Sequence, residues 1–541
     1  MAMAPRRPVP RLLATLIATG LCFGAGAQDN VRLPDLGSSA NALISGQEAR
    51  DYGGAMLRQM RALDMVIDDP LLDDYINHLG YRLVAACDKP KDHFAFFIVK
   101  DPVINAFAAP GGYIAVNSGL IQITRSESEL AGVIAHEIGH ITQNHLQRAF
   151  EASKKDAPLM ALVLLGAIAA GAGAHAGDAA GAILMGGQGA IMQKQINFTR
   201  KDETEADRVG IQTLAKAGFD PNAMAGFFER MSDTMRAGSG GEGVPELLQD
   251  HPVTTTRISD AKERAGALIA MQKERPSGNT LDPQQWARST APIAYVRDPT
   301  TLLSTASRGA GAVDTYALMR ERVRVLAGDA TQLTTYYASN LSRPGFDTLA
   351  NRYGYALALT RSGSGDKAVA MLTPMLASHP DNLVLRLAMA EALLQKGDRA
   401  DALSHYARLN SESPRNPSIT LPYAKALIQG TPSSVQAELA ANLLRPALDT
   451  SEDPDIFLTY ARASEKAGHQ ARAGEAYADA SYLAGRPFDA LEQLKRLLKR
   501  DDLDYYARAR IQARIAELTP LVLELRKRKI PTEDNPDRGA Q

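Results

Sequence analysis

Cysteine is nearly missing from this chain of 541 residues: Cys22 and Cys87 are the two present, which excludes a fold stapled by a disulfide framework. Charge of one sign is missing too, with a formal net charge of −1. That balance provides no overall pull toward nucleic acid or an anionic membrane surface. Long apolar runs are few. The one that invites a membrane reading, "PLMALVLLGAIAAGAGAHAG" at 158–177, holds about 17 apolar residues before His175, the lower limit for spanning a bilayer. Its glycines and alanines carry little transfer free energy. Residues 158–174 stay open as a span, as a packed or mobile helix near a site, or as a surface that touches membrane.

The N-terminus decides how the missing cysteine should be read. "MAMAPRRPVPRLLATLIATGLCFGAGAQDN" places Arg6, Arg7 and Arg11 before an apolar run from Leu12 to Phe23, followed by Ala25-Gly26-Ala27. This is a secretory signal with cleavage expected after Ala27. Leu21 directly before Cys22 fits a lipoprotein cleavage box poorly, so a soluble exported product is expected. Such a product keeps Cys87 alone, with no intrachain disulfide, and must hold together by its cores; the chain is long enough for at least two.

What is present is an unusual density of ionisable groups in one apolar stretch, "AGVIAHEIGHITQNHL" at 131–146. At about 100° per residue, His136 and His140 lie one turn apart on one helix face, so two imidazoles can converge on one point. Glu137 sits beside the pair, where it can reach a water without being a ligand. H-E-x-x-H is thus read as two zinc ligands and a general base. The metal polarises a water and a scissile carbonyl, while the glutamate takes a proton and later passes it to the leaving amine. His145 lies about 180° round from His136 and so points away, to the surface or behind the ligands.

A second segment, "FTRKDETEADRVG" at 198–210, again spaces two acids four apart. Glu203 can supply a third ligand and leave a fourth position open. Asp207 can hold the outer ring nitrogen of a ligating histidine.

With H-E-I-G-H, then E-x-x-x-D within "ETEADR", and "NAFAAPGGYIAVNSGLI" at 105–121 ahead of both, the sequence resembles the M48 metallopeptidases, in particular periplasmic members with a C-terminal tetratricopeptide region. The resemblance covers most of the mature chain. It implies His136, His140 and Glu203 as ligands of one zinc ion per subunit, and Glu137 as the base. It implies Asp207 as a catalytic partner acting through a ligand histidine. It also implies misassembled or unfolded outer-membrane proteins as substrates, in the periplasm. "YIAVN" alternates as a strand does, after a turn at Pro110-Gly111-Gly112. The resemblance favours placing that strand at a sheet edge, where an extended peptide can pair with it.

"LLQDHPVTTTR" sets His251 and Arg257 just after the glycine-rich run "AGSGGEGVP" at 237–245. The resemblance carries both residues over as neighbours of the zinc. Two roles stay open: stabilising the oxyanion, or, for His251, filling the fourth zinc position and holding the enzyme latent.

Near residue 275 the sequence changes to a proline-rich, polar strap that holds the lone tryptophan, Trp286. Beyond it, alanine pairs twelve apart recur as Ala356/Ala368, Ala390/Ala402 and Ala461/Ala473, with Gly363, Gly397 and Gly468 between them. Pro380 and Pro414 close two units 34 apart. That is the tetratricopeptide period. The unit around "LPYAKALIQG" slips by one residue, with Gln436 at the expected alanine and Ala437 beside it.

The expected organisation is a signal peptide at 1–27, a mostly helical α+β zinc metallopeptidase domain with a small sheet at 28–274, and a strap at 275–312. An α-solenoid of tetratricopeptide repeats follows at 313–520, with a polar tail at 521–541. The expected function is a periplasmic zinc endopeptidase whose repeat groove docks substrate or an outer-membrane assembly machine. A latent chaperone or adaptor acting through that groove is the competing reading.

Overall fold

The computed structural model describes residues 45–87, 93–152, 200–237, 247, 251–274, 313–527 and 534. The signal segment, the apolar run 158–174, the glycine-rich run beyond residue 237 and the strap 275–312 lie outside the described residues.

Helices α1 (Gly46–Ala62) and α2 (Pro70–Ala86) start where local chemistry dictates. Ser45 and Glu48 form a reciprocal capping box, and Asp69 accepts the Leu72 N–H with Pro70 at the first helical position. A three-stranded sheet follows: β1 (Ala95–Val99), β2 (Ala106–Ala109) and β3 (Tyr113–Asn117), in the order β1-β3-β2. β3 runs parallel to β1 and antiparallel to β2. The expectation of an edge position for "YIAVN" is therefore corrected, because this strand is β3, buried along its whole length and paired on both sides. Its polar-apolar alternation marks no solvent face. The edges are β1, which adds one bridge from Val99 to Val66, and β2, which directly precedes the Pro110–Gly112 turn.

After α3 (Ser118–Ile123) comes the helix that organises the first half of the molecule, α4 (Glu127–Thr142), capped by Ser126. Every residue from Leu130 to His140 is buried, because α2, the sheet, α6 (Arg200–Lys216) and α7 (Asn222–Ala237) surround it. Its first turn is anchored at two points: Glu127 accepts from the Tyr75 hydroxyl at 2.9 Å, and Glu129 takes both Nη atoms of Arg230 at 2.6 Å. A short helix, α5 (His145–Ala152), and α8 (Thr255–Glu274) complete this half.

The second half is helix after helix: α9 (Thr315–Ala327), α10 (Ala330–Asn340), α11 (Leu349–Arg361), α12 (Gly365–Ser378), α13 (Leu383–Lys396) and α14 (Arg399–Glu412). It continues with α15 (Pro417–Ile428), α16 (Ser434–Leu444), α17 (Pro454–Lys466), α18 (Gln470–Leu483), α19 (Pro487–Leu498) and α20 (Tyr505–Lys527). Successive helices pack pairwise, as a solenoid requires. The paired alanines Ala356, Ala368, Ala390, Ala402 and Ala461 have no exposure, and Ala473 has 2%, so each marks a close helix contact. Between them the chain reverses at Gly363, Gly397 and Gly468, with φ of 84°, 101° and 90°, a conformation that favours glycine. The slipped unit has a local cause. Ser433 and Gln436 form a capping box at the start of α16, which makes Ala437 the inward residue. α20 continues past residue 520, with Leu518 and Val522 both buried.

The two halves share one core. The N-terminal end of α2 meets the repeats directly: Arg322 of α9 pairs with both oxygens of Asp69 at 2.7 and 2.8 Å, and the Ser418 hydroxyl of α15 donates to the Pro70 carbonyl. Arg61 of α1 donates to the Glu452 carbonyl ahead of α17, and Arg58 lies over the Tyr482 ring of α18.

Candidate metal centre

The site is made where α4 and α6 cross. Gly139 and Gly210 let this happen: a Cβ on Gly139 would stand 3.0 Å from the Ala206 carbonyl oxygen, and one on Gly210 would stand 3.1 Å from the His136 nitrogen. At that separation the side chains of residues 136, 140, 203 and 207 face one another across the seam.

Each donor comes from a different local device. His136 and His140 project one turn apart from α4, with their Nε2 atoms 2.9 Å apart. The Glu203 carboxylate of α6 lies 3.5 Å from each of those nitrogens. His251 arrives from the segment before α8, hung from the β1–β2 connection by the Leu247 N–H on the Ile104 carbonyl and by its own N–H on the Leu247 carbonyl. Its Nδ1 lies 2.9 Å from Glu203 and 3.3 Å from His136. One donor atom from each of these four residues falls within a mutual 4.8 Å, and all four residues are buried. Such convergence of imidazole and carboxylate donors in a buried place fits a divalent ion.

Around this set a second layer is complete on two sides. Asp207 stands 2.9 Å from Nδ1 of His136 and is gripped through both oxygens by Arg257, at 2.7 and 2.8 Å. Arg257 also reaches Glu203 at 2.8 Å and the Pro252 carbonyl at 2.9 Å. Its donors are thereby committed to the ligand shell and to the turn that carries His251.

The electrostatics follow from burial and partners. Burial opposes charge on His136, but Asp207 and Glu203 outweigh it and hold its pKa up at about 10. Burial also opposes ionisation of Glu203, yet His251 and His136 keep its carboxyl far below the usual range. His140 is pushed well down, first by burial and then by His136 and His251. Glu137 is raised by burial, with no exposed surface, and no side chain donates a hydrogen bond to either of its oxygens. That carboxylate stands beside the cluster, 3.8 Å from Nε2 of His251.

The structure thus brings together all seven residues singled out from the sequence. It also places His145, which the helical count left at the surface or behind the ligands. α4 stops at Thr142 and the chain turns through Asn144, at φ 55°, before α5 begins. The count of about 100° per residue lapses at that break, and His145 swings back until its Nδ1 is 3.0 Å from Nδ1 of His140. Its far nitrogen faces Glu205 and Asp202, which Arg148 bridges. Of the two places that the spacing left open, the turn at Asn144 selects the one behind the ligand histidine.

Comparison with known proteins agrees with this arrangement. Residues 70–265 match peptidase family M48, and residues 359–417 match a tetratricopeptide repeat. The chain is 32% identical to the beta-barrel assembly-enhancing protease of Yersinia pestis, over 96% of this chain and 99% of that one. The protein of that name from Escherichia coli K12 is also 32% identical, over 94% and 96% of the two chains. Metalloprotease LoiP of the same bacterium is 28% identical over 32% of this chain and 63% of its own. Two converging histidines, the glutamate between them, an acid from a neighbouring helix and this agreement along nearly the whole length lead to one assignment: the chain belongs to peptidase family M48, as a metallopeptidase domain continued by tetratricopeptide repeats.

Proposed function

We propose that this chain is a zinc endopeptidase of the periplasm that cleaves unfolded or misassembled outer-membrane β-barrel proteins, with its repeat region docking the substrate or the assembly machinery. His136, His140 and Glu203 are its zinc ligands. The N-terminal signal pattern supports export, and the names of the two full-length relatives support the substrate class. The single observation that carries the reading is Glu137, fully buried beside the donor cluster with no side chain satisfying its oxygens. A structural metal needs no such carboxylate.

Zinc bound by the three ligands supplies Lewis acidity toward a scissile carbonyl and lowers the pKa of an attacking water. The rest falls to the protein. Glu137, its pKa raised by burial, takes the proton of the water and returns it to the leaving amine. Asp207 fixes the ring of His136, and Arg257 holds Asp207 in turn. The committed donors of Arg257 favour this positioning role over an oxyanion contact. β2, which pairs only with β3 among the described residues and turns its Ala108 N–H toward Glu137, offers an edge beside the site to an extended peptide. Only an unfolded stretch of substrate can form that pairing.

The test is cleavage of an unfolded outer-membrane β-barrel protein by the zinc-loaded chain beside Glu137→Gln. Cleavage by the wild type and a loss of roughly 10²–10⁴-fold in the variant, with zinc still bound, is the expected result. Equal rates would refute the role of Glu137.

His251 favours a second reading, latency. As a fourth protein donor in the cluster it would fill the position that the three other ligands leave open, and the chain would then act chiefly as a chaperone until His251 withdraws. His251→Ala is expected to cleave faster than wild type under this reading. A rate that never rises on any unfolded substrate leaves His251 a substrate-side group.

A further inference from the structure

His140 is held from behind by something other than a carboxylate. Its Nε2 faces the donor cluster, 2.9 Å from Nε2 of His136, so its Nδ1 points outward. There it meets Nδ1 of His145 at 3.0 Å, the two rings standing edge to face at 83°. On the opposite side of the His145 ring, Nε2 lies 3.2 Å from Glu205 and 3.8 Å from Asp202. Nη2 of Arg148 in turn stands 2.9 Å from Asp202 and 3.0 Å from Glu205. The His145 side chain is completely buried although its carboxylate partners are partly exposed.

Hydrogen placement along this row has one consistent solution. A His140 that turns a lone pair on Nε2 toward a metal carries its proton on Nδ1. The Nδ1 of His145 must then be the bare acceptor, which leaves its proton on Nε2, facing Glu205. An acidic pair on that side is what this tautomer needs, since an anion accepts and never donates.

We propose that His145 is a positioning residue for the metal centre: it fixes the ring and tautomer of His140 through Nδ1, with its own tautomer set by Glu205 and Asp202. The proposal rests on the reading of His136, His140 and Glu203 as a metal site. It makes the two histidines of the motif unequal. His136 is backed directly by Asp207, whereas His140 is backed by a neutral imidazole that keeps the supporting carboxylates one ring farther from the metal. The site thereby gains orientation on both rings without a further negative charge against a cluster that already includes Glu203 and has Asp207 and Glu137 beside it. The trio of His145, Asp202 and Glu205 also has the make-up of a second cation site, but the guanidinium of Arg148 already supplies the positive charge between its two carboxylates.

The experiment is chelator competition for Zn²⁺ on the purified full chain, with the visible spectrum of the Co²⁺-loaded protein and the thermal midpoint of the metal-free form. His145→Phe removes the acceptor and keeps the ring volume. His145→Asn restores an acceptor close to the place of Nδ1. The expected outcome is a 10–100-fold loss of Zn²⁺ affinity in the phenylalanine variant, a shifted Co²⁺ spectrum, an unchanged metal-free midpoint, and recovery of most of the affinity with asparagine. Tight wild-type binding that the phenylalanine variant matches, with the same spectrum, overturns the proposal. So does an equal loss with phenylalanine and asparagine accompanied by a lower metal-free midpoint, which denotes a structural role, and so do two Zn²⁺ per wild-type chain against one in the variant. A wild type that holds no Zn²⁺ refutes the metal reading itself. Should the phenylalanine variant not fold, the pair Asp202→Leu with Glu205→Leu carries the test: it leaves His145 in place and frees its tautomer, and unchanged affinity there is equally fatal.

Discussion

One carboxylate does two things at this centre: Asp207 faces Nδ1 of His136 and receives the bidentate grip of Arg257. Burial raises its pKa, and Arg257 and His136 outweigh burial to bring it down, so it stays ionised at neutral pH. Replacing it with asparagine keeps the shape and removes the charge. Asp207→Asn is expected to weaken metal binding by roughly 10–100-fold with the fold retained, measured by chelator competition. Arg257→Met is expected to be worse for the fold, since it strands two buried carboxylates, Glu203 and Asp207. Breaking a buried pair in this way costs about 3–5 kcal/mol, which a denaturant titration at neutral pH would read; a loss under about 1 kcal/mol would contradict the buried geometry. At this scale the sequence was most legible. Four-residue spacing in H-E-x-x-H and E-x-x-x-D is enough to place His136 with His140 and Glu203 with Asp207, because both pairs lie inside unbroken helices.

Between elements, glycine controls the site. The seam of α4 and α6 is closed by Gly139 against Ala206 and Gly210 against Ala135 and His136, contacts to backbone that cannot turn aside. A side chain at residue 139 must therefore push α6, and Glu203 with it, away from the histidines. Gly139→Val is expected to destabilise the chain by about 1–3 kcal/mol through overpacking and to lower metal affinity. A variant with wild-type stability and affinity would show that the crossing tolerates wider spacing. The sequence showed a small residue between the two histidines, but which helix it admits was invisible, since residue 206 is remote in the chain. The same limit applies to His145 and to the sheet. The break at Asn144 and the order β1-β3-β2 are settled by which surfaces are already occupied, and local alternation does not report that.

For the whole molecule, the contact of α2 with the repeats gathers acids in a buried place. Asp453, the N-cap of α17, has its pKa pushed up to about 7, first by burial and then by Asp68. Asp73 is raised as well, by burial and by Asp68 and Asp453. An acid whose folded pKa lies above its ordinary value binds its proton more tightly in the folded chain. Its stabilising effect is complete at pH below about 4 and is lost as pH rises through about 7. Asp453→Asn keeps the cap and removes the charge. The variant should therefore gain on the wild type by on the order of 2 kcal/mol more at pH 8 than at pH 5, read from denaturant unfolding at the two values. A gain that is the same at both values would show that Asp453 titrates normally.

The sequence by itself determined the helix of the two histidines, the acids on a second helix, the repeats with their alanine contacts and glycine turns, and membership of a metallopeptidase class. The helices and repeats depend on periodicity within an element, where a residue's direction follows from its number, and the class follows from the resemblance of the motifs to a known family. Tertiary structure alone decided that β3 lies inside the sheet, that Arg257 grips Asp207, that His145 returns to His140, and that the start of α2 is set against the repeats. Each of these depends on how one element is turned and seated against another, and that choice is made by packing across the whole chain.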